Sequence, residues 1–113
     1  MSNLELTPIV NEAKLATFLD KVTQSYSTKV QYHNDLHGAD VMQMSYHLLS
    51  KCKLKEKLAL NKLDCLSFII AAVCHDIGHD GLTNSYHSNK VTSRAINSND
   101  VSVQETFHAA TTF

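Results

Sequence analysis

At 113 residues the chain has room for one domain and not two, and an apolar share of 43% with one Pro and three Gly fits a packed core better than a loop-rich or disordered polymer. Ten basic against eleven acidic side chains leave a formal charge of -1, with neither sign gathered into a block, so no nucleic-acid partner is expected. Seven histidines are the one compositional excess, and a near-neutral chain does not need them as a basic face.

The opening Met1-Ser2-Asn3-Leu4-Glu5 has neither the basic nor the apolar region of a secretory signal. Thr7-Pro8 reads as a cap and first-turn pair. Ile9, Val10, Ala13, Ala16, Leu19 and Val22 then make an apolar stripe at three-to-four spacing up to about Tyr26, the first amphipathic helix of a leading segment 1–29. A second helix is predicted from about Asn34 to Ser50, with Leu36, Ala39, Met42, Tyr46 and Leu49 on one side. Lys51 to Leu60 is a basic linker or short helix. Asn61 can cap a third main helix whose Leu63, Leu66, Ile70 and Val73 share a face and which ends at Gly78. Thr83 to Asp100 turns polar and reads as ragged helix and loop. A last helix starts near Ser102 and is still in progress at Phe113, which has neither Gly, Pro nor a basic last turn as a stop, so an interrupted helix and a partial domain are expected. Strand alternation and repeats are absent from the sequence, so the expected class is all-α, one helical bundle.

Cys52, Cys65 and Cys74 are odd in number and lack C-x-x-C spacing, and two lie in apolar helical stretches. They read as buried free thiols in a reducing compartment, the cytoplasm by default. The longest apolar run, Phe68 to Cys74, is far short of the ~20 residues that cross a bilayer, so no transmembrane segment is expected.

Two histidine clusters carry the chemistry: Tyr32-His33-Asn34-Asp35-Leu36-His37 and Cys74-His75-Asp76-Ile77-Gly78-His79-Asp80-Gly81. An adjacent His-Asp pair offers an imidazole nitrogen suited to zinc and a carboxylate oxygen suited to a harder second cation. His33 and His37, four apart, share the side on which the second helix begins, and His75-Asp76 lies where the third ends, so packed helix ends can bring them together. A lone His near a helix end is most often a cap or a satisfied surface group, and His47 and His87 are read so. The pair HD means little by itself; H-N-x-x-H followed by H-D-x-x-H-x-G-x-x-N is a long pattern with a low chance rate.

On these residues the chain resembles the class I cyclic-nucleotide phosphodiesterases. Tyr32 to Val41 is similar to that family's Y-H-N-x-x-H-A-A-D-V, His75 to Asn84 to its H-D-x-x-H-P-G-x-x-N, and Asn99 onward to its N-D-x-S-V-L-E-x-H-H-x-A, so the resemblance covers about residues 30–113. It implies the N-terminal part of a multi-helix catalytic fold, and hydrolysis of cyclic AMP or cyclic GMP to the 5′-monophosphate with two divalent cations, zinc and magnesium or manganese. Carried over by position, His33 is the general acid, and His37, His75 and Asp76 ligate zinc. Asp76 also holds the second ion, whose waters His79 and Glu105 support; His108 lies near that network, Tyr32 near the substrate. A carboxylate such as Glu105 is the kind of partner that would keep His33 protonated.

Several departures from the family pattern matter: Asp80 stands for Pro, Ser98 for Tyr, Gln104 for Leu and Phe107 for the first His of a pair. These changes touch loop stiffness and packing more than ligation. The family's further zinc aspartate, glutamine and phenylalanine clamp belong to later sequence that the 113 residues do not contain, and Asp35, Asp40 and Asp80 are poor substitutes. The chain on its own is therefore expected to take up metal weakly and turn over cyclic nucleotide near background. Two other expectations stand beside it: an inactive metal-binding or regulatory fragment that pairs through apolar faces as a homo- or hetero-oligomer, and a different HD-type phosphohydrolase.

Overall fold

The computed structural model describes residues 4–113; the opening Met1 to Asn3, read above as lacking a signal, lie outside the described residues. A 3₁₀ turn, Thr7–Ile9, leads into seven helices: α1 Glu12–Ser25, α2 Asp35–Ser50, α3 Leu54–Lys57, α4 Lys62–Cys74, α5 Asn84–Asn89, α6 Ser93–Asn97 and α7 Val103–Thr112. Among the described residues there is no strand, and no helix is long and apolar enough to cross a membrane. The class is all-α, as the sequence predicts.

The boundaries follow the capping chemistry. Thr7-Pro8 opens the 3₁₀ turn rather than α1, because Val10 is extended; Asn11 caps α1 instead, its side chain accepting from the Lys14 amide at 3.0 Å. Asn34 caps α2 through the His37 amide. Asn61 and Asp64 form a reciprocal capping box at the start of α4. The basic stretch 51–60 holds only the single turn α3, and the polar stretch 83–100 resolves into α5 and α6, each capped by a threonine, Thr83 and Thr92. Helix α4 stops at Cys74, short of Gly78; His75 is its C-cap, and Gly78, at φ 70°, turns the chain away.

Helices α2 and α4 pack along each other and make the spine of two apolar clusters. Leu4, Leu6, Leu49, Cys65 and Ile69 form one; Val22, Tyr26, Val73, Cys74 and Ile77 form the other, and Met42 lies against both. Of the predicted α2 stripe, Leu49 is buried and Met42 and Tyr46 pack against the core, while Leu36 is 74% exposed and Gly38 and Ser45 join the buried side. Gly38 and Ser45 carry no apolar signal, and at Gly38 the lack of a side chain is what lets α2 approach α4. On α4, Val73 is buried and Leu66 and Ile70 pack against the clusters as predicted, with Cys65, Ile69, Ala72 and Cys74 buried beside them, while Leu63 is 66% exposed. The run Phe68 to Cys74 is apolar throughout, so its periodicity leaves the phase of the helix open. All three cysteines are free thiols, Cys65 and Cys74 buried and Cys52 exposed.

Candidate metal centre

The start of α2 and the end of α4 bring His37, His75 and Asp76 to one point. His37 Nε2 lies 3.1 Å from His75 Nε2 and 3.3 Å from Asp76 Oδ2, and His75 Nε2 lies 3.1 Å from the same oxygen. Donors about 2.0 to 2.2 Å from a tetrahedral zinc sit about 3.3 Å or slightly more apart, so the triangle has the size that a shared cation requires. The tautomer fits as well: His75 Nδ1 donates to Ala72 O at 2.8 Å, which leaves its Nε2 lone pair facing the other two donors. A mixed imidazole and carboxylate set of this kind suits zinc.

Asp76 belongs to a second group. Its carboxylate, His79 and His108 offer ligand atoms within 4.8 Å of one another, and Asp76 Oδ1 lies 3.8 Å from His108 Nε2. His108 is buried, and its Nδ1 donates to Ile77 O at 2.7 Å, again turning Nε2 toward the site. His79 differs: its Nδ1 accepts from the Gly81 amide at 2.9 Å, so the neutral ring carries its proton on Nε2 and presents a donor there. Burial, and then the charge on His33, hold the His79 imidazole below its ordinary pKa, which keeps that neutral form at neutral pH.

His33 stacks on His79 with ring centroids 4.0 Å apart and planes at 11°, and it stands edge-on to His37 at 5.9 Å. Tyr32 is 66% exposed and lies against His37 at 4.7 Å and His33 at 4.9 Å. The structure thus gathers His33, His37, His75, Asp76, His79 and His108 at one end of the α2–α4 pair. Glu105 lies near His79 and His108 on α7, but its carboxylate is bonded to Asn84. Its Oε2 accepts from Asn84 Nδ2 at 3.0 Å, while Asn84 Oδ1 accepts from the Gln104 amide at 2.9 Å, and no carboxylate makes an ion pair with His33 among the described residues. Asn84 takes Glu105 because Ser102, the N-cap of α7, makes no side-chain cap, and the free amides of that turn recruit a partner from α5. The Glu105 carboxyl falls below its usual pKa through its own backbone amide and then Asn84.

His47 is exposed on α2, as expected, whereas His87 is not a surface group: it is 3% exposed, bonded to Thr92 Oγ1 at 2.9 Å and within 3.2 Å of Asp80 Oδ2. Asp80 itself faces away from the triangle and joins His87, Arg94 and Gln104, a cluster that the periodicity gave no hint of. Its one trace in the sequence was the coincidence of departures from the family pattern at 80, 104 and 107.

Residues 32–113 match the family model described as 3′5′-cyclic nucleotide phosphodiesterase. The chain belongs to that family. It is 38% identical over 103 residues to a human high affinity cAMP-specific 3′,5′-cyclic phosphodiesterase 8A, a span of 91% of this chain and 12% of that protein. To the human high affinity cGMP-specific 3′,5′-cyclic phosphodiesterase 9A it is 36% identical over 104 residues, 92% of this chain and 17% of the relative. The fold superposes on crystal structures of the phosphodiesterase domain of a Salpingoeca rosetta rhodopsin phosphodiesterase with TM-scores of 0.82 and 0.87 at 34% and 32% identity. It covers 92% and 99% of this chain but 30% and 35% of those domains, so the chain spans about a third of the solved catalytic domain.

Proposed function

We propose that these residues form the metal-binding part of a 3′,5′-cyclic nucleotide phosphodiesterase that hydrolyses cyclic AMP, cyclic GMP or both to the 5′-monophosphate in the cytoplasm. The observation that carries the reading is the triangle of His37, His75 and Asp76, three donors from two helices at the spacing of a shared cation. In this reading His37, His75 and Asp76 would hold zinc, and Asp76, with His79 and His108 beside it, would serve a second cation, magnesium or manganese. Two such cations would supply the positive charge that stabilises a phosphate ester under attack and the acidification of water near neutral pH.

The chain's own groups do the rest. His33 holds a proton on the exposed side of the cluster and gives it to the leaving 3′ oxygen. Its stack with neutral His79 places the acid without a second positive charge beside it. His79 Nε2–H would donate to water at the site, with Glu105 near it on α7. Tyr32, exposed over both His33 and His37, offers a ring face to the substrate.

Two measurements test this. Zinc uptake by the chain, followed calorimetrically, should disappear in His37→Ala and His75→Ala. Residues 32–113 grafted in place of the matching segment of the rhodopsin phosphodiesterase domain should retain hydrolysis of a cyclic nucleotide, with His33→Ala lowering turnover while metal content stays intact. Zinc loss in His33→Ala, or a graft that binds metal and hydrolyses nothing, would overturn the roles assigned here.

A further inference from the structure

Arg94 of α6 lies at the centre of a polar cluster on the far side of the loop that carries His79. One guanidinium nitrogen donates to Gln104 Oε1 at 2.6 Å and stands 3.5 Å from Asp80 Oδ2; the other donates to Gly78 O at 3.0 Å. The guanidinium plane covers the Phe107 ring at 3.6 Å from its centroid. Gln104, 4% exposed, completes the cluster through Nε2, which donates to Asp80 Oδ1 at 2.8 Å and Leu82 O at 2.9 Å.

Each group that Arg94 holds adjoins a residue of the metal centre. Gly78 and Asp80 flank His79, Gln104 precedes Glu105, and Phe107 precedes His108. The cluster therefore fastens the His79 loop to the face of α7 that carries His108, with Asp76 between them. It also takes in three of the positions at which this chain departs from the family pattern. Where that pattern has proline at 80, whose ring stiffens the backbone, this chain has an aspartate whose carboxylate accepts from the Leu82 amide and is held from outside the loop by Gln104 and Arg94. A planar fork with several fixed donors suits the task, since it can bind a carbonyl, an amide oxygen and a carboxylate at once.

We infer that Arg94, through Gly78, Asp80 and Gln104, is a positioning residue that sets the distance and orientation of His79 relative to His108 across Asp76. The consequence for cations rests on the metal-centre reading above; the placement of the His79 ring does not.

The test uses the whole chain labelled with ¹⁵N, carrying Arg94→Met, which keeps the stem, Gln104→Met, which keeps the volume, or Arg94→Lys, which keeps the charge. In the unsubstituted chain His79 should show a hydrogen-bonded Nδ1 acceptor and a protonated Nε2. Both methionine variants should move those ring signals, and in a manganese titration they should weaken the weaker of two binding events by ~10-fold or more while leaving the tighter one unchanged. Arg94→Lys should recover melting temperature but not the His79 signals. Unmoved His79 signals in either folded methionine variant, or both manganese affinities falling together with melting temperature, would overturn the inference. An unsubstituted chain that binds no cation would defeat the metal-centre reading instead, and the His79 signals would still decide the role of Arg94.

Discussion

At Gly38 α2 lies close against α4. A Cβ there would come 2.8 Å from Tyr26 Oη, 3.0 Å from Tyr26 Cζ and 3.1 Å from Val73 O, while the Tyr26 hydroxyl donates to that same carbonyl at 2.8 Å. Two effects oppose each other in Gly38→Ala: helix propensity favours alanine by about 1 kcal/mol, and overpacking a buried contact costs about 1 to 3 kcal/mol. With both a buried ring and backbone in the way, the clash should win, and urea unfolding should show net destabilisation. Tyr26→Phe leaves Val73 O without its donor and should cost about 1 to 3 kcal/mol. Combined, the two should cost less than their sum, because the hydroxyl that clashes has gone; simple additivity would mean that Tyr26 is not the obstacle. Burial pushes the Tyr26 phenol up to about 12. A raised folded value means that its contribution to stability is complete below about pH 10, the unfolded value, and is lost as pH rises toward 12. The difference between the tyrosinate titrations of the unsubstituted chain and Tyr26→Phe should therefore be a phenol ionising near pH 12; one ionising near 10 would show an exposed ring.

At the scale of elements, the loop between α4 and α5 and the helix α7 hold each other by polar contacts. Asn84 acts as the cap that Ser102 fails to be, accepting from the Gln104 amide and donating to Glu105. Asn84→Ala should cost about 0.5 to 2 kcal/mol and speed amide exchange in the first turn of α7, whereas Asn84→Asp, which keeps an acceptor but sets a carboxylate against Glu105, should also lose stability, and more so at low salt. Equal exchange in all three chains would remove Asn84 from the capping role. Asp80 supplies a pH test. Partial burial alone would raise its carboxyl, but hydrogen bonds from Gln104 and the Leu82 amide, with Arg94 and His87 nearby, together bring it below the usual carboxylate pKa. A depressed folded value stabilises the chain above about pH 4 and loses that contribution as pH falls through the folded value, so Asp80→Asn should flatten the acid limb of the stability profile. How far such features are legible in sequence depends on what signals them. The start of α2 at about Asn34, the cap at Asn61, the helix order and the histidine spacings are local and were readable. The buried faces of α2 and α4 were readable only in part, because Gly38 packs by having no side chain and the end of α4 is apolar all round. The cap by Asn84 and the bonding of Arg94 join residues 10 to 21 apart through tertiary contact, for which helical periodicity has no signature.

As a whole the molecule is open. Its radius of gyration of 15.7 Å exceeds the about 13 Å of a compact domain this long, and its 7513 Å² of accessible surface exceeds the about 6,200 Å² usual for the mass. A groove of about 650 Å³ between α4 and α7, lined by Leu66, Ile70, Ala109 and Phe113 and reaching His75, accounts for part of that excess. An open fold with few contacts to spare gains most from a ligand that ties distant segments together. His37 and His75 are 38 residues apart and come from different helices, so a cation held by both binds the folded chain and loses its site when α2 leaves α4. At a free zinc concentration a hundredfold above the dissociation constant, such linkage stabilises by about 2.7 kcal/mol, or roughly 10 °C in melting temperature for a chain of this size, less whatever affinity the unfolded thiols and imidazoles have for zinc. Exposed Cys52 is the obvious competing ligand, so the comparison belongs in a Cys52→Ser background. There, zinc should raise the melting temperature, a chelator should reverse the rise, and His37→Ala should abolish it while leaving the unliganded melting temperature nearly unchanged. A rise of equal size in His37→Ala would mean that zinc stabilises the fold from somewhere other than the junction of α2 and α4, and the triangle of His37, His75 and Asp76 would then be a cluster of hydrogen bonds and not a metal site.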